Sequence, residues 1–146
     1  MTSSAGGSVD RARAQFAAQP VARLATLRPD GRAHLVPIVF ALEGELIWTA
    51  VDRKPKSTNA LRRLKNIAAD PRVSLIVDHY DEDWTQLWWV RADGLARVVP
   101  AGSGEEQSGL DQLTAKYAQY REQPPPGPVV QVTVERWTSW SARTTR

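Results

Sequence analysis

Six short apolar runs, most of them bounded by turn residues, constrain the fold of this chain more than any other feature. The runs cover residues 21–28, 34–42, 46–51, 72–80, 86–99 and 129–137. The last run alternates Val130, Val132 and Val134 with polar residues, which is the period of a strand that buries one face. A chain patterned in this way is expected to be built mainly from strands.

The residues at the turns predict how the strands are connected. Pro29-Asp30-Gly31 predicts a hairpin between the first two strands. Pro37 lies inside the second run and cannot donate to a strand ladder, so we expect it at an unpaired edge, at a bulge or beside a ligand. Asp93-Gly94 could form a tight hairpin or a bulge in one continuous strand, and the short halves on either side favour the bulge.

Three segments have the apolar spacing of helices. The first is expected over residues 9–18, and the second from a cap at Ser57 to a stop at Asp70-Pro71. On the second helix the expected apolar residues are Leu61, Leu64, Ile67 and Ala68, and the expected solvent-facing residues are Arg62, Arg63, Lys65 and Asn66. The expected stripe of the third helix is Leu110, Leu113, Tyr117 and Tyr120.

These elements predict a mainly β fold with helices, in which a six-stranded antiparallel β-barrel carries its helices on the outside. The chain contains neither GxGxxG nor GxxxxGK[ST], so a dinucleotide-binding fold is not expected. We expect residues 1–8 to be disordered, residues 9–142 to form a single domain and residues 143–146 to form a short tail.

The composition excludes several classes of site. The 146 residues include no cysteine, which excludes disulfides, thiolate zinc sites and cysteine nucleophiles. The start, MTSSAGGS, lacks the basic and apolar parts of a signal peptide, and no apolar run is long enough to span a bilayer. We therefore expect a cytoplasmic protein with no membrane partner. A net charge of +3 and a pI of about 9.6 favour an anionic ligand or partner.

The most basic stretch, DRKPKSTNALRRL (52–64), falls where a strand is expected to end and a helix to begin. The free N–H groups at a helix N-terminus attract anions, and Lys54, Lys56 and Ser57 would add two charges and a hydroxyl. The stretch could equally be a solvated basic loop. Arg62 and Arg63 are expected on the solvated face of the helix.

Six tryptophans are unusual in a chain of this length. Most are expected to pack in the core, but a small barrel has little room for six indoles. Trp88 and Trp89 are adjacent, so in a strand they face opposite sides. A subunit interface or a planar ligand would account for the excess.

The remaining polar residues form no complete catalytic set. DHYDED (78–83) is read as a solvated turn, because no second histidine lies near it at metal-ligand spacing, and no metal site is predicted. His34 is expected to be an ordinary strand residue. No nucleophile and no pair of catalytic carboxylates can be identified, so the catalytic residues are unknown and any difficult chemistry is assigned to a bound cofactor.

Five segments, in order, resemble a known family. They are ARLATLRPDGRAHLVPIVF (22–40), LIWTAVDRKPKS (46–57), DPRVSLIVD (70–78), VRADGLARV (90–98) and WTSWSA (137–142). The chain resembles the split β-barrel flavin and deazaflavin oxidoreductases of the pyridoxamine-phosphate-oxidase-like superfamily, and most of all the actinobacterial branch that uses coenzyme F420.

The resemblance implies an F420-dependent reductase that transfers hydride to a conjugated small molecule. It also implies a homodimer with cofactor sites at the interface, and no nucleic-acid partner. By position, the cofactor ring would lie on Val36, Pro37, Ile38, Val39, Thr49, Ala50 and Val51. The phosphate-bearing tail would be held by Lys54, Lys56 and Ser57, and the partner subunit would contribute Trp88, Trp89 and Trp140.

Three other functions fit the same residues. One is an FMN-dependent oxidoreductase of the same fold, and another is a carrier that binds F420 or a tetrapyrrole without turnover. The third is a single-strand nucleic-acid binder, which clustering of the charge at one junction disfavours. Oxidation of pyridoxamine phosphate itself is not expected, because the C-terminal arginine and histidine pattern of true pyridoxamine phosphate oxidases is not found.

Overall fold

Seven antiparallel strands form one curled sheet in the computed structural model, which describes residues 2–51 and 58–144. The strands are β1 (Ala22–Leu27), β2 (Ala33–Ile38), β3 (Ala41–Glu43), β4 (Leu46–Ala50), β5 (Arg72–His79), β6 (Trp88–Val99) and β7 (Val129–Ser141). The helices are α1 (Thr2–Ala17), α2 (Thr58–Ala69), α3 (Glu106–Lys116) and α4 (Ala118–Glu122), with 3-10 turns at Trp84–Gln86 and Ala142–Thr144.

The strand order is β2-β1-β5-β6-β7-β4-β3, so consecutive strands β2 and β3 lie at opposite edges of the sheet. This confirms the split-barrel fold, but the predicted number of six strands was wrong. The run at 34–42 divides at Val39 and Phe40, because the backbone N–H and C=O of Phe40 bond to the Tyr117 hydroxyl and not to a neighbouring strand. The hairpin predicted at Pro29-Asp30-Gly31 joins β1 and β2, and Gly31 supplies its positive φ of 87°.

The two longest strands, β6 and β7, pair along almost their whole length, and the predicted irregularity at Asp93-Gly94 is a bulge within continuous strands. Asp93 pairs with Arg136 and Gly94 with Val134, so the extra residue is Glu135 on β7. A side chain at Gly94 would collide with the carbonyl oxygen of Thr133, which explains why glycine is needed there.

Two apolar clusters pack on opposite faces of the sheet, because Ile47 and Val130 belong to one and their strand neighbours Trp48 and Val129 to the other. In the larger one, Phe16 of α1 packs edge-on against Trp137, with ring centroids 5.2 Å apart, and lies 4.8 Å from Phe40. The smaller cluster packs α3 against Trp48 and includes the predicted helical stripe. Its members from that stripe are Leu110, Leu113, Tyr117 and Tyr120.

The helices differ from the predictions in two of their limits and in the burial of one residue. Helix α1 begins at Thr2, before the predicted start at Val9, and the third predicted helix breaks at Tyr117 into α3 and α4 because Tyr117 is extended, with φ −115° and ψ 116°. Asn66 does not face solvent as expected, because it is buried and donates to Thr26 Oγ1 at 3.0 Å. The predicted domain limits stay a prediction. Among the described residues, no helix has the length and apolar character needed to cross a membrane.

Candidate functional site

A cleft of about 230 Å³ opens where the two edges of the curled sheet face each other. Its floor comes from the end of edge strand β2 and from the end of β4. Pairing between β3 and β4 stops at Trp48, so Thr49 and Ala50 extend beyond the end of β3. The described residues that line it are Val21, Pro37, Ile38, Val39, Thr49, Ala50, Arg63 and Tyr120.

The floor is held together by a side chain that crosses the gap. The hydroxyl of Thr49, on β4, donates to the carbonyl oxygen of Val39 at 2.8 Å. Thr49 is buried, so this hydrogen bond is largely shielded from water. It therefore fixes the end of β2 relative to β4, and with it the width of the cleft.

Tyr117 fixes the same region from the other side. Its hydroxyl accepts from the backbone N–H of Phe40 at 3.0 Å and lies 2.8 Å from the carbonyl oxygens of both Pro20 and Phe40. Burial raises the pKa of the Tyr117 hydroxyl, which favours the protonated form that can donate. The junction between α3 and α4 is thus tied to the segment that follows the cleft floor, and this places Tyr120 in the cleft wall.

Lys116 strengthens this attachment. Its ammonium donates to the carbonyl oxygen of Gln19 at 2.7 Å and lies 3.8 Å from the ring centroid of Phe40. Burial lowers the pKa of Lys116 to about 8. The Lys116 ammonium therefore titrates close to physiological pH.

The structure brings together five of the thirteen residues predicted for the site. These five are Pro37, Ile38, Val39, Thr49 and Ala50. Val36 packs partly buried against the larger core cluster, and Val51 is buried with its N–H bonded to Pro128, so neither lines the cleft. Lys54, Lys56 and Ser57 lie outside the described residues.

The three tryptophans predicted for the partner's pocket lie away from the cleft of their own chain. Trp88 packs partly buried against the core and stacks on His79 at 6.1 Å between ring centroids. Trp89 and Trp140 are directly opposite each other on β6 and β7, on the outer face of the sheet. Trp140 is 40% exposed, and the guanidinium of Arg91 lies 5.6 Å from the Trp89 ring.

The outer face combines apolar side chains with paired charges. Leu35 is 67% exposed and lies opposite Ala25, while Ile76 lies between Arg23 and Arg91 across the sheet. The charges are locally paired: Arg23 with Asp78 at 3.4 Å and Arg91 with Asp93 at 3.4 Å. This face can therefore pack against another apolar surface, because its charged side chains would keep their own partners.

Sequence reasoning missed Arg63, Tyr120 and Val21 as cleft residues. Arg63 was expected on the solvated face of α2, and that prediction was wrong, because it is half-buried and lines the cleft. Helical spacing gave part of this information. Arg63 precedes buried Ile67 by one helical turn, so the two residues share a face of α2. Tyr120 and Val21 carry no sequence signal for the cleft, since only the long-range packing brings them to β2.

The family model described as Pyridoxamine 5'-phosphate oxidase matches residues 8–141. The chain belongs to this family. Membership agrees with the curled antiparallel sheet. A comparison with curated proteins gave no match.

Solved structures of three bacterial proteins illustrate the shared fold. A conserved hypothetical protein of Mycobacterium tuberculosis, Rv2991, aligns with a TM-score of 0.63 and 24% identity, over 88% of this chain and 81% of that chain. A FAD-binding protein of Mesorhizobium loti gives 0.64 and 20%, over 84% and 86%. The heme storage protein HutZ of Vibrio cholerae gives 0.67 and 15%, over 92% of each chain. At these identities the likeness shows the fold alone.

Proposed function

We propose that the cleft binds a flavin-type cofactor and that the protein is an oxidoreductase. Coenzyme F420 is the proposed cofactor and FMN is the alternative. The observation that carries the proposal is the meeting of two open strand edges, at residues 37–39 and 49–50, in one cleft that offers both apolar side chains and polar groups. A flat ring with donors and acceptors along its rim needs both features, because its faces pack on apolar side chains and its rim bonds to backbone groups.

The residues present fit such a ring. Pro37, Ile38 and Val39 offer apolar surface, and β2 is an edge strand whose outer side has no neighbouring strand in the described pairing. When bound, the cofactor would supply the hydride. The part of this chain would be to bind the ring, to hold it at a fixed depth through Thr49 and Tyr117, and to orient it towards a conjugated substrate. No proton donor is assigned.

The protein is also proposed to act as a homodimer with its sites at the interface. At about 230 Å³ the cleft is smaller than the roughly 300–1,000 Å³ typical of ligand sites, which suggests that a second surface completes it. The outer face offers one, with Leu35, Trp89 and Trp140 as apolar contacts. In this arrangement Trp89 and Trp140 of one copy would lie near the cleft of the other, whereas Trp88 is held against its own core.

The test is titration of F420 and of FMN into the purified protein, followed by cofactor fluorescence. Saturable binding of at least one supports the proposal, and tighter binding of F420 supports the preferred cofactor. If neither binds saturably, the proposal is wrong.

A carrier without turnover is the competing function, and it would bind cofactor tightly yet fail to oxidise the reduced form with any acceptor. Haem is the less favoured cargo for such a carrier. Neither His34 nor His79 is among the described residues that line the cleft, so no histidine is placed there to ligate its iron.

A further inference from the structure

A second cavity, of about 310 Å³, opens where strands β1 and β5 separate. Pairing between these strands stops at Ala25, although β1 continues to Leu27 and β5 begins at Arg72. The two strand ends therefore run apart and form the walls of a crevice, which β6 and β7 close on its remaining side. Ala25 lines the crevice and lies opposite exposed Leu35, which places the crevice on the outer face of the sheet.

The bulge in β7 places a carboxylate at this crevice. Glu135 is the extra residue of the bulge, so it lies opposite no residue of β6, and it lines the cavity. A bulge bends its strand and changes the direction of the side chains at it, and bulges are frequent beside ligand sites. Within the part of the chain that the structure describes, the Glu135 carboxylate forms no hydrogen bond and no ion pair.

The other charged side chains that line the crevice have partners. Arg72 donates to both carboxylate oxygens of Asp70, at 3.0 and 2.7 Å. Asp93 lies 3.4 Å from the guanidinium of Arg91. Each pair largely neutralises its own charge, so the charge that is left among the described lining residues is the negative charge of Glu135.

The wall of the crevice on β1, β2 and β5 is made largely of small apolar side chains. They belong to Ala25, Leu27, Ala33 and Val73. A carboxylate attracts a cation, and an apolar wall favours a cation that is carried on an apolar body. A metal ion is not indicated, because the described residues contain no group of three metal-ligating side chains. The volume of about 310 Å³ is at the lower end of the range for ligand sites, which is roughly 300–1,000 Å³.

We propose that the crevice is a second ligand site, which binds an ammonium group on a short apolar stem and pairs it with Glu135. The crevice and the cofactor cleft share no described lining residue, so this proposal does not depend on the proposed function. The ammonium has two possible sources. One is a free amine, and the other is a lysine side chain of a second copy, because the proposed dimer uses the same outer face.

The experiment compares two probes that share a stem and differ in charge. Phenethylamine carries an ammonium group at neutral pH, and phenethyl alcohol carries a hydroxyl group in its place. Each is titrated into the isotopically labelled full chain without cofactor, and the amide signals of Ser74 and Gly94 are followed by NMR. The proteins are the wild type, Glu135→Gln and the control Glu82→Gln, which removes an exposed carboxylate from the turn after β5.

We expect phenethylamine to shift both amide signals saturably in the wild type and in Glu82→Gln. Phenethyl alcohol should bind about tenfold more weakly or not at all. Glu135→Gln should weaken phenethylamine binding by about five- to tenfold, because it removes a charge-assisted hydrogen bond at a site open to water. If Glu135→Gln does not fold, judged by its thermal unfolding, Glu135→Asp carries the test, and its shorter side chain should also weaken phenethylamine binding.

Sedimentation with and without phenethylamine identifies the source of the ammonium. If a lysine of a second copy fills the crevice, phenethylamine should dissociate the dimer, and its apparent affinity should fall as the protein concentration rises. If the natural ligand is a free amine, phenethylamine should leave the association state unchanged. Either result supports the ammonium site.

Three outcomes would overturn the proposal. The first is equal affinity for phenethylamine and phenethyl alcohol, and the second is unchanged phenethylamine affinity in folded Glu135 variants. The third is the absence of a saturable shift at Ser74 and Gly94 at every protein concentration. None of these measurements requires a bound cofactor, so the ammonium site and the proposed function can fail separately.

Discussion

At the scale of single residues, Thr49 joins the two sides of the cleft floor. It is buried on β4 and its hydroxyl bonds to Val39, which lies between β2 and β3. A threonine in a strand is ordinarily a minor contributor to stability. Here its hydroxyl joins the two edges that form the floor, so the same hydrogen bond stabilises the fold and sets the shape of the site.

Replacing Thr49 by valine keeps the shape of the side chain and removes the donor to Val39. We expect Thr49→Val to lower the free energy of unfolding by about 1–3 kcal/mol, because a shielded carbonyl loses its partner. Binding of FMN or F420 should weaken as well. Urea unfolding and fluorescence titration measure the two effects. Thr133→Val, at an exposed position on β7, is the control, and a Thr49→Val protein that matches the wild type in both measurements would contradict the assigned role.

At the scale of elements, the junction between α3 and α4 connects the cleft wall to the first strand hairpin. Tyr117 and Lys116 reach Pro20, Gln19 and Phe40 through hydrogen bonds and ring contacts. The junction is extended at Tyr117, and this break turns α4 so that Tyr120 lines the cleft. The irregular point in the helix is therefore the point that positions the wall.

The titration of Lys116 should be visible in the stability of the fold. Burial lowers its pKa from 10.5 to about 8, so between these pH values the unfolded chain binds more protons at this position than the folded chain does. The free energy of unfolding of the wild type, relative to Lys116→Met, should therefore rise from pH 8 to pH 10.5. Tyr117 is present in both proteins, so its own titration largely cancels.

Denaturant unfolding of both proteins across this interval measures the effect. Lys65→Met, which removes an exposed lysine from α2, controls for the loss of one positive charge. A difference between wild type and Lys116→Met that stays flat, or falls with rising pH, would show that burial does not govern the titration of Lys116.

At the scale of the whole molecule, two features bear on the proposed dimer. The cleft is open on one side, and the outer face of the sheet exposes large apolar side chains, Leu35 and Trp140 among them. A second copy seated on that face would cover the apolar surface and close the cleft. A dimer of this kind would therefore account for both the open cleft and the exposed apolar side chains.

Trp140→Ala tests this arrangement. We expect the dimer to dissociate more readily and the affinity for FMN or F420 to fall with it, since the same indole would cover apolar surface and close the partner's cleft. Analytical ultracentrifugation and cofactor titration at several protein concentrations measure both. Trp84→Ala, which removes a 69%-exposed indole from the 3-10 turn at Trp84–Gln86, is the control. A monomer that binds cofactor at full strength would contradict the proposed dimer.

The sequence by itself determined most of the strands, the turn at Gly31, the bulge near Gly94 and the apolar stripe from Leu110 to Tyr120. Each of these features depends on a local hydrophobic period or on the backbone conformation that one residue allows. Both can be read without knowing which residues are distant neighbours in the fold. The family resemblance added the floor of the cleft, because motif order carries information about which strands lie together. The binding of a cofactor tail by Lys54, Lys56 and Ser57 and the roles of the tryptophans in a partner's pocket stay predictions.

Only the tertiary structure decided which edges meet and which side chains line the gap between them. The run at 34–42 looks like one continuous strand in the sequence. In the structure the run is divided at Phe40, because the backbone N–H and C=O of Phe40 are hydrogen-bonded to the hydroxyl of Tyr117, far along the chain. Arg63 looks like a solvated charge, yet the packing of Ile67 turns it into the cleft. Periodicity describes each element on its own axis, whereas the position of a side chain between elements depends on long-range pairing.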